Sequence, residues 1–178
     1  MESRARDAFA VWVTGLPASG KSTLVGSLKA QLAARGIDVA VLESDVLRQI
    51  FTPRARYDEE EREGFYRQMV FVGTLLTRHG IPVIFDATAN RRPYRDEARR
   101  QIPQFLEVYV DCPMEICMAR DPKGIYRKAH EGAADTVPGL QSTYEPPGSP
   151  ELIVHGDRET PEAAARRVID KLVEKGFV

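Results

Sequence analysis

Cysteine, histidine and long apolar stretches are scarce in this chain, and each scarcity excludes something. Cys112 and Cys117 are the only cysteines among 178 residues, too few for a disulfide framework and without the second ligand pair a zinc site needs. Both thiols are therefore expected to be reduced and buried. The three histidines are scattered, so no metal cluster is foreshadowed. The longest apolar run, Met69 to Leu76, falls far short of a membrane span and fits better inside a helix. The first eight residues are largely polar and charged, so no signal peptide is expected, and a soluble cytoplasmic protein without a membrane partner is the expectation. With a formal net charge of −1, nothing global points to nucleic acid, and any basic site must be local. No repeat, coiled-coil heptad or composition shift divides the chain, whose length suits one α/β domain over residues 1–178.

What is present is a glycine loop in a telling setting. Phe9-Ala10-Val11-Trp12-Val13-Thr14 is apolar and largely β-branched or aromatic, the pattern of a buried strand. Gly15-Leu16-Pro17-Ala18-Ser19-Gly20-Lys21-Ser22 follows, and then Leu24, Val25, Leu28, Leu32 and Ala33 recur at helical spacing. Strand, G-x-x-x-x-G-K-S loop and helix together specify a nucleoside-triphosphate site. Backbone N–H groups from Gly15 through Ala18, Ser19 and Gly20 to Thr23 can face successive phosphates, and the helix adds its positive end. Lys21 supplies a mobile charge for the β- and γ-phosphates, and Ser22 offers a hydroxyl to Mg²⁺.

Further along, Ile37 to Leu42 reads as a second strand, after which Ser44 or Asp45 can cap a short helix through Ile50. Asp58 to Arg78 is a long helical pattern, acidic at its start and closed by His79-Gly80. Ile81 to Phe85 gives a third strand, ending at Asp86. The basic segment Arg91-Arg92-Pro93-Tyr94-Arg95 leads into a helix ending near Gln101. Phe105 to Val110 is a fourth strand, and Pro113 opens a helix to about Arg120. From Asp121 to Pro150, Gly, Pro and charge dominate, and a structureless mobile loop is expected. Leu152 to Val154 reads as a last strand, and Thr160-Pro161 starts the final helix. Strands alternating with helices predict a P-loop NTPase sandwich of three layers, a parallel sheet with helices on both faces.

Ligands in such sheets lie beyond the carboxyl ends of the strands. Glu43-Ser44-Asp45, Asp86 and Asp111 should therefore gather around the glycine loop. Asp45 is the candidate to orient and deprotonate an attacking hydroxyl, with Arg48 one helical turn on; a helix cap is its alternative role. Asp45 and Asp86 are candidate Mg²⁺ ligands, Asp86 through water, although Asp86 could equally be structural. Asp111 fits a cap. Arg120, Lys123, Arg127 and Lys128 put four cations into nine residues, which reads as a lid over transferring phosphate or as a solvated charged helix. Arg62 and Arg67 could reach an acceptor anion or pair with nearby glutamates.

Gly15 to Thr23, Phe105 to Gly132 and Tyr144-Glu145-Pro146-Pro147 to Leu152 resemble adenylylsulfate kinase, in order over nearly the whole chain. The stretch Arg120-Asp121-Pro122-Lys123-Gly124-Ile125-Tyr126-Arg127-Lys128-Ala129 is the most specific part. The resemblance implies an ATP- and Mg²⁺-dependent transfer of the γ-phosphate to the 3′-hydroxyl of adenosine 5′-phosphosulfate, giving PAPS. It implies Lys21, Asp45 and Lys123 as catalytic groups and Arg120 near the ATP base. It implies Arg48, Tyr57, Arg62, Phe65, Arg67 and Lys123 on the acceptor side, and a homodimer.

The departures from that family cluster on the acceptor side. Glu43-Ser44-Asp45-Val46 stands for Asp-Gly-Asp-Asn, Phe65 for an asparagine, Val137 for a second adenine-stacking ring, and Arg92 for the active-site serine. Phe65 could instead supply a replacement stacking surface. A sister kinase acting on another activated nucleotide or phosphate ester, and an ATP-binding switch without fast turnover, are the alternative functions.

Overall fold

The computed structural model describes residues 8–132 and 136–178. Residues 1–7, which carry most of the segment read above as lacking a signal peptide, and residues 133–135 in the middle of the expected lid lie outside the described residues.

The first strand forms where β-branched and aromatic residues are buried on both sides. β1 (Ala10–Gly15) is buried throughout and pairs in parallel with β3 (Val83–Asp86) on one side and β4 (Phe105–Asp111) on the other. β2 (Ala40–Glu43) extends the sheet beyond β3 and β5 (Leu152–His155) beyond β4, so the order is β2-β3-β1-β4-β5, all parallel. Parallel pairing needs a crossover between strands, and the helices supply it. α1 (Lys21–Ala33) and α7 (Pro161–Glu174) bury Leu24, Leu28, Val168 and Ile169 against one face. α3 (Glu59–Arg78) and α4 (Arg92–Gln101) bury Phe65, Met69 and Ala98 against the other, where Trp12 stacks on Phe85 at 4.5 Å. The expected three-layer fold is thus present. Both cysteines are free and buried, and no helix among the described residues is long and apolar enough to cross a membrane.

Helix starts follow local side-chain capping in two places and not in two others. The Asp58 carboxylate accepts from the Glu61 N–H to start α3, and the Thr160 hydroxyl accepts from the Ala163 N–H to start α7. α2 (Ser44–Phe51) has Glu43 at its cap position with no side-chain bond, so neither Ser44 nor Asp45 caps it. Asp111 does not cap α5 (Met114–Arg120) either, because Pro113 occupies that position. The expected structureless loop contains a helix, α6 (Ile125–His130). The turn before it is held by Asp121, whose carboxylate accepts from the N–H groups of Tyr126 and Arg127. Tyr126, Ala129 and Val137 form a small core with Cys112 and Cys117, which the sparse apolar periodicity of the segment had concealed.

A buried charge network locks α4 to the sheet edge that carries the glycine loop. Arg95, 1% exposed, sets Nε 3.2 Å from the buried Glu107 carboxylate. It also donates to Thr14 Oγ1 at 3.0 Å and to the Glu145 carbonyl at 2.6 Å. Arg99 closes the network onto Glu107 and Glu151. Arg95→Met leaves the buried Glu107 charge without its one fully buried partner, with only the part-exposed Arg99 remaining, and should cost about 3–5 kcal/mol in urea unfolding. Arg95→Met combined with Glu107→Met should recover a large part of that loss. A double variant no more stable than the single one would show that the Thr14 and Glu145 bonds, not the charge pair, hold α4.

Candidate active site

The parallel register brings polar strand ends side by side. Glu43 pairs with Asp86, Asp111 pairs with His155, and Gly15 ends β1 among them. The chain then turns sharply into α1. Ala18 adopts the left-handed region at φ 61° and Gly20 does so at φ 105°; for alanine this conformation costs about 1–2 kcal/mol. The loop curls around the Lys21 amine, which donates to the carbonyls of Gly15 at 3.1 Å and Leu16 at 2.7 Å. Burial pushes the Lys21 pKa down to about 8, opposed by the nearby Asp86 and Asp45 carboxylates. Ser22 and Thr23 are exposed at the first turn, whereas Gly15 and Ser19 are buried within the loop.

A cleft of about 1410 Å³ opens above this loop. Gly20, Lys21, Ser22 and Thr23 line one part of it, Asp45 and Asp86 another, and Arg48, Tyr57 and Arg62 a third. From the expected lid, Arg120, Lys123 and Lys128 reach the cleft, and Arg127 is not among its walls. Lys123 forms an ion pair with Asp45 across the cleft, and that bond raises the Lys123 pKa above its ordinary value. Two of the three side chains that the resemblance implies as catalytic are therefore together. Both are more than half exposed, so the pair contributes little to stability.

The acceptor-side residues divide. Tyr57 is exposed at the rim in a left-handed conformation, φ 59°. Arg48 lies with its guanidinium over the Phe65 ring at 4.0 Å and the Tyr57 ring at 4.9 Å. Arg62 is buried, and donates to the carbonyls of Tyr57 at 3.0 Å and Thr136 at 2.5 Å; desolvation lowers its pKa. Two expectations are corrected. Phe65 is 1% exposed in the core beneath Arg48 and offers no face to a ligand, so it cannot replace a lost stacking ring. Arg67 points away from the cleft and pairs with Glu63 at 2.7 Å, one turn back on the outer side of α3. Val46 and Val137 both line the cleft, apolar where the resemblance led one to expect an amide and a ring.

Sequence reading missed the segment after β5. His155, Gly156, Asp157 and Arg158 line the cleft, and Gly156 packs against the phosphate-binding loop so closely that a Cβ would overlap the Ser19 carbonyl. The Glu159 carboxylate fixes this turn by accepting from His155 N–H at 2.7 Å and from Arg167. A Gly-Asp-Arg turn is too common in sequence to have flagged it.

The oxygen donors present suit Mg²⁺ carried by a phosphate ligand. Ser22 and Asp86 line the same cleft, while no group of three or more carboxylate, imidazole or thiol ligands converges among the described residues. Mg²⁺ commonly keeps waters and substrate phosphates as most of its ligands, with one or two from protein.

Comparison with known proteins places these features in context. The family described as adenylylsulphate kinase matches residues 7–155. An adenylyl-sulfate kinase of Microcystis aeruginosa is 39% identical over 168 residues, covering 94% of this chain and 93% of that one. A solved APS kinase of Mycobacterium tuberculosis, in complex with AMPPNP and APS, superposes with a TM-score of 0.88 at 33% identity, covering 94% of this chain and 98% of the other. A hexameric APS kinase from Thiobacillus denitrificans superposes with a TM-score of 0.72 at 25% identity, covering 98% of this chain and 31% of that one.

The close approach at Gly156 generates a test of the site's construction. Gly156→Ala must displace either the turn after β5 or the phosphate-binding loop. It should lower stability by about 1–3 kcal/mol, as overpacking does. It should also weaken binding of a fluorescent ATP analogue although no ligand-facing side chain is removed. Unchanged stability and unchanged binding together would show that the contact is not tight in solution.

Proposed function

The chain belongs to the adenylylsulfate kinase family, and from that premise we propose that it transfers the γ-phosphate of ATP to the 3′-hydroxyl of adenosine 5′-phosphosulfate, giving PAPS and ADP. The observation that carries the reading is a single cleft that unites the phosphate-binding loop, the Asp45–Lys123 pair and the Arg48–Tyr57–Arg62 rim.

Each group has a role consistent with its surroundings. The loop N–H groups and Lys21 take the polyphosphate, and a buried ammonium gains most from that charge because little water competes for it. Ser22 and, through water, Asp86 would hold Mg²⁺, which would supply charge to offset that of the phosphates. Asp45 accepts the proton of the 3′-hydroxyl as its oxygen bonds to the γ-phosphorus and the bond to the β–γ bridging oxygen breaks. Its bond to Lys123 supports this assignment over that of a metal ligand. Lys123 and Lys128 offset charge on the transferring phosphoryl group, and Arg120 borders the ATP base. Tyr57 gives the acceptor base one stacking face, with Arg48 behind it. Arg62 sets the Tyr57 turn through its carbonyl. A cytoplasmic homodimer is part of the proposal on the ground of the sequence resemblance alone; the Thiobacillus relative is hexameric.

Steady-state kinetics with ATP and adenosine 5′-phosphosulfate test it. PAPS should form, with kcat/KM below about 10⁶ M⁻¹s⁻¹ because one stacking ring and two amides are absent from the acceptor side. No PAPS, beside turnover of another nucleotide-linked sulfate or phosphate, would overturn the choice of acceptor. Lys21→Ala should abolish transfer. Asp45→Asn should bind ATP normally yet lose about 10²-fold or more in kcat, the range of a positioned general base. Normal turnover in either variant would remove that residue from the mechanism.

A further inference from the structure

Glu61 is not among the residues lining the cleft, yet its carboxylate holds three groups that shape the acceptor rim. Oε2 accepts from the Arg56 N–H at 2.6 Å, and Oε1 accepts from the Tyr57 N–H at 3.2 Å and from Arg48 Nη1 at 3.4 Å. The Arg48 and Glu61 side chains are each 11% exposed, whereas the neighbouring Arg67–Glu63 pair stands 72% and 58% exposed. The inner pair is therefore shielded from water and salt in a way the outer one is not.

Tyr57 makes this anchoring necessary. A tyrosine at φ 59° is strained by about 1–2 kcal/mol and stays there only if its surroundings insist. Two bonds insist: its N–H is held by Glu61, and its carbonyl by Arg62 Nε at 3.0 Å. Arg48 is confined in the same way, by the Phe65 ring beneath it and the Glu61 oxygen at its edge. A carboxylate beside an anion site weakens the local positive field, so its presence calls for a compensating use. The geometry supplies one, because a single side chain fixes both the ring offered to the acceptor and the cation behind it.

We propose that Glu61 is a positioning residue that sets acceptor affinity by holding Tyr57 in its left-handed turn and Arg48 over Phe65. The proposal rests on the acceptor assignment above. In the intact chain, Glu61→Ala should raise KM for adenosine 5′-phosphosulfate about tenfold or more, with KM for ATP and kcat within about threefold. Glu61→Gln keeps the side-chain length and loses the charge, and should shift the same constant in the same direction by a smaller factor. Glu63→Ala, on the outer side of the same helix, should move none of these. An unchanged acceptor KM, an equal rise in both KM values, or the same rise in Glu63→Ala would overturn the proposal. Amide exchange at Arg56 and Tyr57 gives a readout that needs no substrate. It should accelerate about tenfold or more in Glu61→Ala. If the wild-type protein does not phosphorylate adenosine 5′-phosphosulfate, the functional reading fails, and exchange alone decides on Glu61, with unchanged rates overturning its role.

Discussion

The site depends on one unfavourable arrangement, a lysine ammonium taken out of water at the crest of β1 with only backbone carbonyls to receive it. Lys21 is 9% exposed, and its bonds run to Gly15 and Leu16. Carbonyl dipoles offset part of the lost hydration but do not neutralise a charge, which is why burial dominates and drives the pKa down to about 8. The carboxylates of Asp86 and Asp45 oppose that shift without making an ion pair with Lys21. A polyphosphate would supply the missing countercharge. The strained Ala18 and the left-handed Gly20 hold the loop in the shape that keeps this cation waiting.

The remaining architecture keeps that loop in register with its neighbours. Parallel pairing sets Asp86 beside Val13 and Val110 beside Gly15, so the ends of β3, β1 and β4 border the same edge. Arg95 reaches under this edge to Thr14, one residue before the loop, and at the same time grips the Glu145 carbonyl near the far end of the lid. Tyr144 adds a contact with Thr14 Oγ1 at 3.1 Å. The start of the lid is tied down separately, since the Tyr126 hydroxyl donates to the Pro17 carbonyl at 2.9 Å. The lid is thus anchored near both ends to the strand and loop expected to bind phosphate, with Lys123 against Asp45 between them.

Much of this was legible in the sequence, and the parts that were not share a physical reason. Continuous β-branched and aromatic runs, the acidic start of the long helix, the Thr160-Pro161 helix start and the glycine loop are local patterns, so the sheet, the long helices and the donor end followed from reading along the chain. α6 was missed because its apolar residues pack against Cys112 and Cys117, a contact that no periodicity within the segment reveals. Phe65 and Arg67 were assigned to the acceptor by alignment with a motif, but direction around a helix decides such assignments. One side chain turns into the core and the other to Glu63. The anchoring of Tyr57 by Glu61 was invisible for the opposite reason, since three glutamates in a helix's first turn read simply as compensation for its dipole.

The claim on which the rest turns is that Lys21 is an unneutralised buried cation awaiting phosphate. An NMR titration of the Lys21 Nζ resonance, assigned by loss of the signal in a Lys21 variant, measures it directly in the free protein and with a non-hydrolysable ATP analogue. The expected result is a pKa of about 8 in the free protein, rising to about 10 or above when the phosphates are bound, because a nearby negative charge favours the protonated amine. A value of about 10.4 in the free protein, the ordinary range for lysine, or no change on binding the analogue, would contradict it.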